Sequence, residues 1–364
     1  MGLSCGIVGL PNVGKSTIFN ALSQAKAEVA NYPFCTIDPN VGIVPIDDPR
    51  LKKIAEIFKP EKTTPNTLEV VDIAGLVKGA SQGEGLGNKF LSHIRQVQAI
   101  IHVVRCFEDE NVVHVSGVVD PIRDIETIET ELALADLETL LKKIDRTEKL
   151  AKSHDPKIHE ELAALKKARA VLDQGKLLIY DSFSDKELAF MQDLALLTLK
   201  PVLYVANVAE GEFNTRGEHY LKLKEFVEKR KTMLLPLCGK VEAELLSLDP
   251  EERVVFLKEL GMEEPALNVL VREAFSLLKL RTFFTAGPKE VRAWTIRAGM
   301  TAPQAAGTIH SDFERGFICA EIYHFDNLVH AGSETVVKAK GLLRLEGREY
   351  EVQDGDIIFF RFNV

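Results

Sequence analysis

Short apolar runs alternate with helical stretches over residues 1–120 and 200–280. The runs are rich in Val, Ile and Leu at successive positions, a pattern typical of strands that are buried on both faces. Strands of this kind separated by helices predict a mostly parallel sheet flanked by helices, which is an α/β fold. The predicted strands are Cys5–Leu10, Thr67–Asp72, Ala99–Cys106, Val202–Asn207 and Met233–Leu237.

A second pattern fills the interval between these two stretches. From Ile125 to about Gly175, apolar residues recur at steps of three and four, which predicts amphipathic helix. The pattern breaks at residues 153–156 and then resumes. We therefore expect residues 125–175 to form an α-helical hairpin, an arm inserted into the α/β domain, with the break at its tip.

Positive charge is concentrated around this tip. Residues 142–157 contain six Lys or Arg side chains and three Asp or Glu side chains. On a chain with a net charge of −9, this excess suggests contact with a polyanion. A solvated helix surface with ion pairs four residues apart explains the same residues equally well.

The pattern changes again from about residue 281. Short apolar segments at 291–296, 317–322 and 356–362 predict strands with turns between them, and hence a compact α+β module. The expected domains are residues 1–124 with 176–280 for the α/β domain, 125–175 for the arm and 281–364 for the C-terminal module.

Composition excludes several classes of protein. The chain is 46% hydrophobic and 27% charged, and no run approaches the ~18 apolar residues of a membrane span, so we expect no membrane partner. The five cysteines form no C-x-x-C pair, which argues against a zinc site or a disulfide framework and fits a reducing, cytoplasmic location. The acidic net charge argues against non-specific nucleic-acid coating, and we expect no DNA partner.

Residues 9–16 carry the strongest chemical signal in the chain. Their sequence, Gly-Leu-Pro-Asn-Val-Gly-Lys-Ser, follows a predicted strand and opens a predicted helix, which is the context of a phosphate-binding loop. Its backbone N–H groups and the helix start would bind phosphate. Lys15 is predicted to reach the β- and γ-phosphates, and the Ser16 hydroxyl to bind Mg²⁺. The other expected contacts in this loop are Asn12, Val13, Gly14 and Thr17.

Further nucleotide-binding groups follow along the chain. Asp72 ends a predicted strand, where a second metal-side group is expected, and the Gly75 N–H can approach the γ-phosphate because no side chain intervenes. The glycine-rich residues 79–87 are predicted to be ordered by the nucleotide and released on hydrolysis. Thr36, within a second candidate switch at residues 31–40, is expected to complete the Mg²⁺ coordination shell.

These motifs, in this order, indicate a G domain of the translation-factor type, with two departures. The first is Leu76, which stands where Ras-type enzymes carry a Gln that orients the attacking water. Intrinsic hydrolysis should therefore be slow, or another group must position the water. His114, in a polar loop after the carboxyl end of a strand, is our candidate for that group. The alternative is a structural histidine.

The second departure concerns recognition of the base. The tetrad Asn207-Val208-Ala209-Glu210 stands where G domains carry Asn-Lys-x-Asp, so the Lys is missing and the carboxylate lies one methylene further out. Guanine discrimination depends on paired hydrogen bonds. Adenine offers an N6 donor and an N7 acceptor, which Asn207 and a backbone carbonyl near Val208 can serve. The expected base contacts are Asn207, Val208, Glu210 and, in a later loop, Cys238.

The combined motifs resemble the YchF family of Obg-related nucleotidases, also called ribosome-binding or Obg-like ATPases. The matching segments are 9–17, 32–37, 72–80, 207–210, 285–287 and 304–310. The resemblance implies a P-loop NTPase G domain, an inserted coiled-coil hairpin and a C-terminal TGS domain. It implies Mg²⁺ held through Ser16 and Thr36, and slow hydrolysis of ATP in preference to GTP. It also implies association with ribosomes or their subunits, with rRNA contact through the arm and the TGS domain.

Three functions remain open at this point. The first is an ATPase switch, in which ATP and Mg²⁺ order the two loops, Lys15 and Gly75 support phosphoryl transfer, and hydrolysis resets the state. The second is a GTPase of ribosome assembly, which would need Asn207 and Glu210 to read guanine. The third is a non-catalytic, nucleotide-gated module that binds RNA or the ribosome, for which Leu76 is the main support.

Overall fold

The computed structural model describes residues 4–24, 40–73, 86–115, 117–153, 155–213 and 215–363. The chain divides into two compact units. The first comprises Met1–Gly42 with Glu69–Leu270, and the second comprises Ile43–Leu68 with Val271–Val364. The inclusion of Ile43–Leu68 in the second unit is a grouping that no sequence pattern suggested.

Within the described residues there are twelve strands. In chain order they are β1 Ser4–Val8, β2 Val41–Pro45, β3 Lys62–Thr64, β4 Thr67–Asp72, β5 Ala99–Arg105, β6 Val202–Asn207, β7 Met233–Leu237, β8 Leu280–Ala286, β9 Glu290–Arg297, β10 Phe317–His324, β11 Arg344–Glu346 and β12 Asp356–Phe362.

The same ranges contain fourteen α-helices. They are α1 Lys15–Gln24, α2 Pro49–Phe58, α3 Leu86–Gln96, α4 Pro121–Leu150, α5 Pro156–Leu172, α6 Asp185–Met191, α7 Glu218–Lys229, α8 Gly239–Ser247, α9 Pro250–Glu259, α10 Ala266–Leu277, α11 Ala302–Ile309, α12 Ser311–Arg315, α13 Phe325–Ala331 and α14 Glu334–Ala339. None of the helices in the described ranges combines the length and the apolar character that a bilayer-spanning segment requires.

The first sheet has the strand order β2-β4-β1-β5-β6-β7, and neighbours from β4 to β7 pair in parallel. Every residue of β1, β5 and β6 is buried, as the continuous apolar runs predict. All five predicted strands of this sheet are present. The sequence analysis missed β2, whose Val-Gly-Ile-Val-Pro alternates between half-buried and buried positions.

Parallel pairing places the carboxyl ends of β1, β4, β5, β6 and β7 at one edge of this sheet. The predicted phosphate loop follows β1, and Asp72 ends β4. The loop with His114 follows β5, and Asn207 ends β6. Ligands of open parallel sheets bind at this edge, and the strand order brings these four segments to it.

Where the sequence predicts a helical arm, the structure has the two helices α4 and α5, which pack against each other. Each helix starts with an Asp cap followed by Pro: Asp120 accepts the N–H of Arg123, and Asp155 accepts the N–H of Lys157. Gly175, just beyond the end of α5, has a φ of +71°, the left-handed conformation that commonly follows a helix end. Buried residues packed in this region include Ala133, Leu140, Ile144, Leu165, Ala168, Val171 and Leu172.

One buried carboxylate ties the arm to the chain that follows it. Asp136 on α4 is fully buried. It accepts the backbone N–H of Leu197 at 2.9 Å, and both the N–H and the hydroxyl of Thr198 at 2.8 and 2.7 Å. The carboxylate therefore caps the 3₁₀ turn Leu197–Leu199 and fixes it against α4.

The second sheet is mixed, with the order β11-β10-β12-β8-β9-β3. The three predicted strands correspond to β9, β10 and β12, whereas β8 and β11 were not predicted. The segment 43–68 supplies β3, which pairs in parallel with β9. It also supplies Arg50, which contacts the carboxylates of Asp48 at 2.8 Å and Asp354 at 2.5 Å. These contacts explain why the segment belongs to the second unit.

Candidate functional site

The loop between β1 and α1 has the conformation that its glycines suggest. Asn12 and Gly14 have φ values of +62° and +97°. A Cβ atom on Gly14 would lie 2.2 Å from Nδ2 of Asn207, and one on Gly9 would lie 2.5 Å from the carbonyl oxygen of Val103. Gly14 is thus required by both its backbone angle and its surroundings, and Gly9 by its surroundings.

Lys15 lies folded against this loop. The residue is 8% exposed, and its Nζ donates to the carbonyl oxygens of Gly9 at 2.9 Å and Leu10 at 2.7 Å. Burial lowers the pKa of Lys15 to about 8, and the nearby charge of Asp72 opposes that change. A desolvated ammonium group at the start of a helix gains strongly from an anionic phosphate.

Asp72 lies in the same electrostatic environment. Its Oδ1 is buried and has no hydrogen-bond partner among the described residues. Burial raises the pKa of this carboxyl, and the charge of Lys15 opposes the rise. A buried carboxylate oxygen without a donor is costly, and a cation would satisfy it.

Ser16 supplies an exposed hydroxyl at the start of α1. Within the described ranges no group of three His, Cys, Asp or Glu side chains could hold a metal ion. The hydroxyl of Ser16 and the carboxylate of Asp72 instead fit Mg²⁺, which binds through one or two protein groups together with substrate phosphates. Ser16 and Asp72 are the described residues that could hold the ion.

Several predicted groups lie outside the described residues. They are Gly75, Leu76, positions 79–85 of the glycine-rich segment, and positions 31–39 of the second candidate switch, which include Thr36. Residues 86 and 87 of that segment begin α3.

Asn207 connects two loops of the site. Its Nδ2 donates to the carbonyl oxygen of Val13 at 2.9 Å, and its Oδ1 accepts the N–H of Gly239 at 3.0 Å. The residue is 6% exposed. The side chain that the sequence assigned to adenine thus uses its acceptor and one donor inside the protein. It braces the phosphate loop against the start of α8.

A cavity of about 870 Å³ opens beside these groups, within the range of small-molecule sites. The predicted residues that line it are Asn12, Gly14, Thr17, Asn207, Val208, Glu210 and Cys238. Lining residues that the sequence analysis missed include Phe107, Glu108, Asp109, Val112, Lys240, Ala243, Glu244 and Ser247. The first four follow the carboxyl end of β5, and that position is the signal by which they could have been found.

The base-side wall carries one exposed ion pair. Nζ of Lys240 lies 3.4 Å from Oε2 of Glu210, and both side chains are more than 40% exposed, so the pair contributes little stability. Cys238 is buried before the start of α8, and burial raises the pKa of its thiol. A protonated, buried thiol is suited to packing against the uncharged ring of a base and is poorly suited to act as a nucleophile.

His114 faces the base of the arm. Its Nε2 lies 2.9 Å from Oδ2 of Asp124 on α4, and each side chain is 3% exposed. His114 is absent from the described residues that line the cavity. The carbonyl oxygen of its neighbour Val113 accepts Nδ2 of Asn12 at 3.1 Å. The imidazole therefore has a buried partner in this conformation, while the adjacent backbone contacts the phosphate loop.

Two family models match the chain. One, described as "50S ribosome-binding GTPase", matches residues 4–143. The other, the C-terminal model of YchF GTPases, described as "Protein of unknown function (DUF933)", matches residues 280–363.

Full-length relatives are also similar. The "Ribosome-binding ATPase YchF" of Bacillus subtilis (strain 168) is 54% identical over 366 residues, covering 100% of both chains. The "Obg-like ATPase 1" of Rattus norvegicus is 48% identical and covers 99% of this chain and 92% of its own. The solved structure of the Schizosaccharomyces pombe YchF GTPase superposes with a TM-score of 0.90 at 38% identity, covering 99% and 98%. Together with the fold described above, these matches confirm the predicted P-loop G domain.

Proposed function

The chain belongs to the YchF family and is a P-loop NTP hydrolase, and we propose that it is an ATP-dependent switch of the ribosome. It binds ATP with Mg²⁺, hydrolyses it slowly to ADP and phosphate, and associates with the ribosome or its subunits. The observation that carries this proposal is the cavity itself. Residues of the phosphate loop and of the loops after β6 and β7 line this one cavity together, which is the arrangement that a bound nucleotide requires.

The phosphate end supplies positive charge and donors. Ser16, Asp72 and Thr36 would hold Mg²⁺, which when bound neutralises charge on the phosphates. Lys15 would leave the carbonyl oxygens of Gly9 and Leu10 and bind the β- and γ-phosphates. The loop N–H groups, the start of α1 and the Gly75 N–H stabilise the charge that develops on the transferred phosphoryl group.

We assign the positioning of the attacking water to His114, because Leu76 cannot hydrogen-bond water. The hydrogen bond from Asn12 to the carbonyl oxygen of Val113 keeps the backbone next to His114 beside the phosphate loop. The expected result for His114→Ala is a turnover at least tenfold lower with ATP affinity unchanged. The matched control is His93→Ala, an exposed histidine on α3. Equal single-turnover rates for wild type and His114→Ala would remove the histidine from the mechanism.

ATP is the preferred substrate in this proposal. Val208, at the position of the usual Lys, is buried, and Glu210 lies beside Lys240. A second candidate, an Obg-type GTPase, is favoured by the carboxylate that Glu210 retains on the cavity wall. Titration of the protein with labelled ATP and GTP in the presence of Mg²⁺ separates the two. Tighter GTP binding would move the chain to the GTPases.

The ribosome contact would include the tip of the arm. Lys142 and Lys143 are paired with Glu138 and Glu161, at 2.5 and 2.7 Å. The remaining basic residues of the tip are exposed, and no ion pair is found for them among the described residues: they are Arg146, Lys149, Lys152 and Lys157. This arrangement favours an rRNA phosphate contact over the alternative of a solvated surface. The C-terminal module, proposed as a TGS domain, would supply a second contact.

Co-sedimentation with purified ribosomes over a series of salt concentrations tests the arm. The combined variant Lys149→Gln and Lys152→Gln should weaken binding and flatten its salt dependence. Its control, Lys222→Gln and Lys229→Gln, removes two lysines of α7 that pair with glutamates four residues away. ATP turnover with and without ribosomes then separates an ATPase switch from a non-catalytic module, which would remain inactive in both.

A further inference from the structure

The contact between His114 and Asp124 has features of a restraint. Asp124 lies in the first turn of α4 and is buried. One of its oxygens, Oδ2, is used by His114, and the other, Oδ1, is buried without a partner among the described residues. Burial raises the pKa of this carboxyl, and the hydrogen bond with His114 opposes the rise. The carboxylate thus depends heavily on this imidazole.

The backbone around His114 is held by other groups. Arg105, at the end of β5, is 2% exposed and donates to the carbonyl oxygens of Phe107 at 3.0 Å and Val112 at 2.8 Å. Asn12 holds the carbonyl of Val113. The loop is therefore anchored to the phosphate loop and to β5 independently of Asp124. These anchors hold the backbone that leads into His114, so the exchange proposed below concerns the side chain of His114.

Helix α4 joins this contact to the proposed ribosome contact. The helix has 30 residues, which corresponds to a length of about 45 Å. It carries Asp124 in its first turn and Lys149 in its last. A single helix therefore runs from the partner of His114 to the basic tip of the arm.

We propose that Asp124 is a positioning residue that holds His114 away from the nucleotide cavity, and that the arm helix controls its release. This inference rests on the proposed role of His114 in positioning water. In the structure the imidazole faces α4, so the slow state is the one with the contact intact. A displacement of the first turn of α4, caused by binding at the tip, would transfer the imidazole from Asp124 to the cavity.

Single-turnover ATP hydrolysis by the full chain tests the restraint. Asp124→Asn removes the charge that holds the imidazole and keeps the size of the side chain. Without ribosomes, this variant should hydrolyse ATP about fivefold faster than wild type with unchanged ATP affinity, and ribosomes should stimulate it less. Adding His114→Ala should return the rate to that of His114→Ala alone. The control is Glu126→Gln, an exposed carboxylate of the same helix.

Two other results for Asp124→Asn would contradict the restraint. A slower Asp124→Asn with normal ATP affinity would mean that Asp124 orients His114 for catalysis, and the restraint would be wrong. An unchanged rate would mean that the pair is only structural, and the proposal would again be wrong. If His114→Ala itself has the wild-type rate, the water-positioning role of His114 is wrong, and the restraint by Asp124 falls with it. This result is distinct from a failure of the restraint alone, in which His114→Ala is slow and Asp124→Asn is not faster than wild type.

A measurement on the unmodified protein covers the case in which Asp124→Asn fails to fold. With ¹⁵N-labelled histidine, the imidazole N–H signal of His114 should be protected from solvent exchange in the nucleotide-free chain. A non-hydrolysable ATP analogue with Mg²⁺, added together with ribosomes, should remove that protection. Protection that persists would overturn the proposed release.

Discussion

Nδ2 of Asn207 lies 2.9 Å from the carbonyl oxygen of Val13, across 194 positions of sequence. This hydrogen bond makes the loop after β6 part of the phosphate site. The same side chain accepts the N–H of Gly239, so one amide links the phosphate loop, β6 and the start of α8. A residue at the expected base-reading position therefore also sets the shape of the phosphate end.

Replacement of Asn207 by Ala should weaken the binding of ATP and the binding of GTP to a similar extent. The change leaves the Val13 carbonyl and the Gly239 N–H without their partner, at a cost of roughly 1–3 kcal/mol for each buried group. The loss of this brace also frees the phosphate loop from its binding conformation, so we expect both dissociation constants to rise about tenfold, which corresponds to about 1.4 kcal/mol. Fluorescence titration measures both, with Glu244→Ala, an exposed residue that also lines the cavity, as the control. A loss confined to ATP would instead identify Asn207 as a reader of the base.

Replacement of Asp72 by Asn should separate stability from metal binding. The neutral amide relieves the burial of a charged oxygen, so the nucleotide-free protein should gain about 1 kcal/mol, or roughly 2–4 °C in melting temperature. The same change should abolish the tightening of ATP binding by Mg²⁺. Melting curves and ATP titrations with Mg²⁺ or with EDTA measure both effects. Normal Mg²⁺ dependence in the variant would contradict the assignment of Asp72.

Glu242 should make stability depend on pH. It is 2% exposed, and it accepts the N–H of Ala266 at 2.8 Å and of Leu267 at 3.4 Å at the start of α10. Burial raises its pKa from 4.5 to about 7, against the opposing effect of these hydrogen bonds. Between pH 4.5 and about pH 7, the folded protein therefore keeps a proton on Glu242 that the unfolded chain releases. The stability from this group is complete below pH 4.5 and is lost as the pH rises through 7.

The comparison of wild type with Glu242→Gln isolates this effect, because the amide does not titrate. Between pH 5 and pH 8 the wild type should lose up to about 3 kcal/mol relative to the variant. Calorimetric melting at several pH values measures the difference. Glu244→Gln, an exposed position on the same helix, should run parallel to wild type. A constant difference across this pH window would show that Glu242 is ionised throughout.

Replacement of Asp136 by Ala should loosen the base of the arm. The change leaves three donors of Leu197 and Thr198 without their acceptor in a buried site, which typically costs about 3 kcal/mol. Hydrogen exchange at these two amides should accelerate more than a hundredfold. Glu138→Ala, an exposed change two residues away, should leave both amides protected. Unchanged exchange in Asp136→Ala would mean that the turn is held by other contacts.

The elements that sequence predicted best have signals confined to short stretches of chain. The two helices of the arm could be predicted because apolar steps of three and four residues are a local signal. The strand β6 was predicted at its observed limits because a fully buried parallel strand is a continuous apolar run. The strands β4 and β7 also have their predicted limits, although they are only partly buried. The strand β3 has only the residues Lys-Thr-Thr, which carry no such pattern, so its pairing with β9 could not be predicted.

In the candidate site, too, local features could be predicted from sequence, whereas contacts between distant segments could not. The sequence by itself determined the phosphate loop, because Gly14 and Lys15 act through backbone angles and a side chain within one turn of chain. Only the tertiary structure decided that Asn207 braces this loop and that His114 is buried against Asp124. Such partners depend on how β5, β6 and α4 pack. A single sequence gives the chemistry of each side chain, but the partner that each one meets is fixed by packing between distant segments.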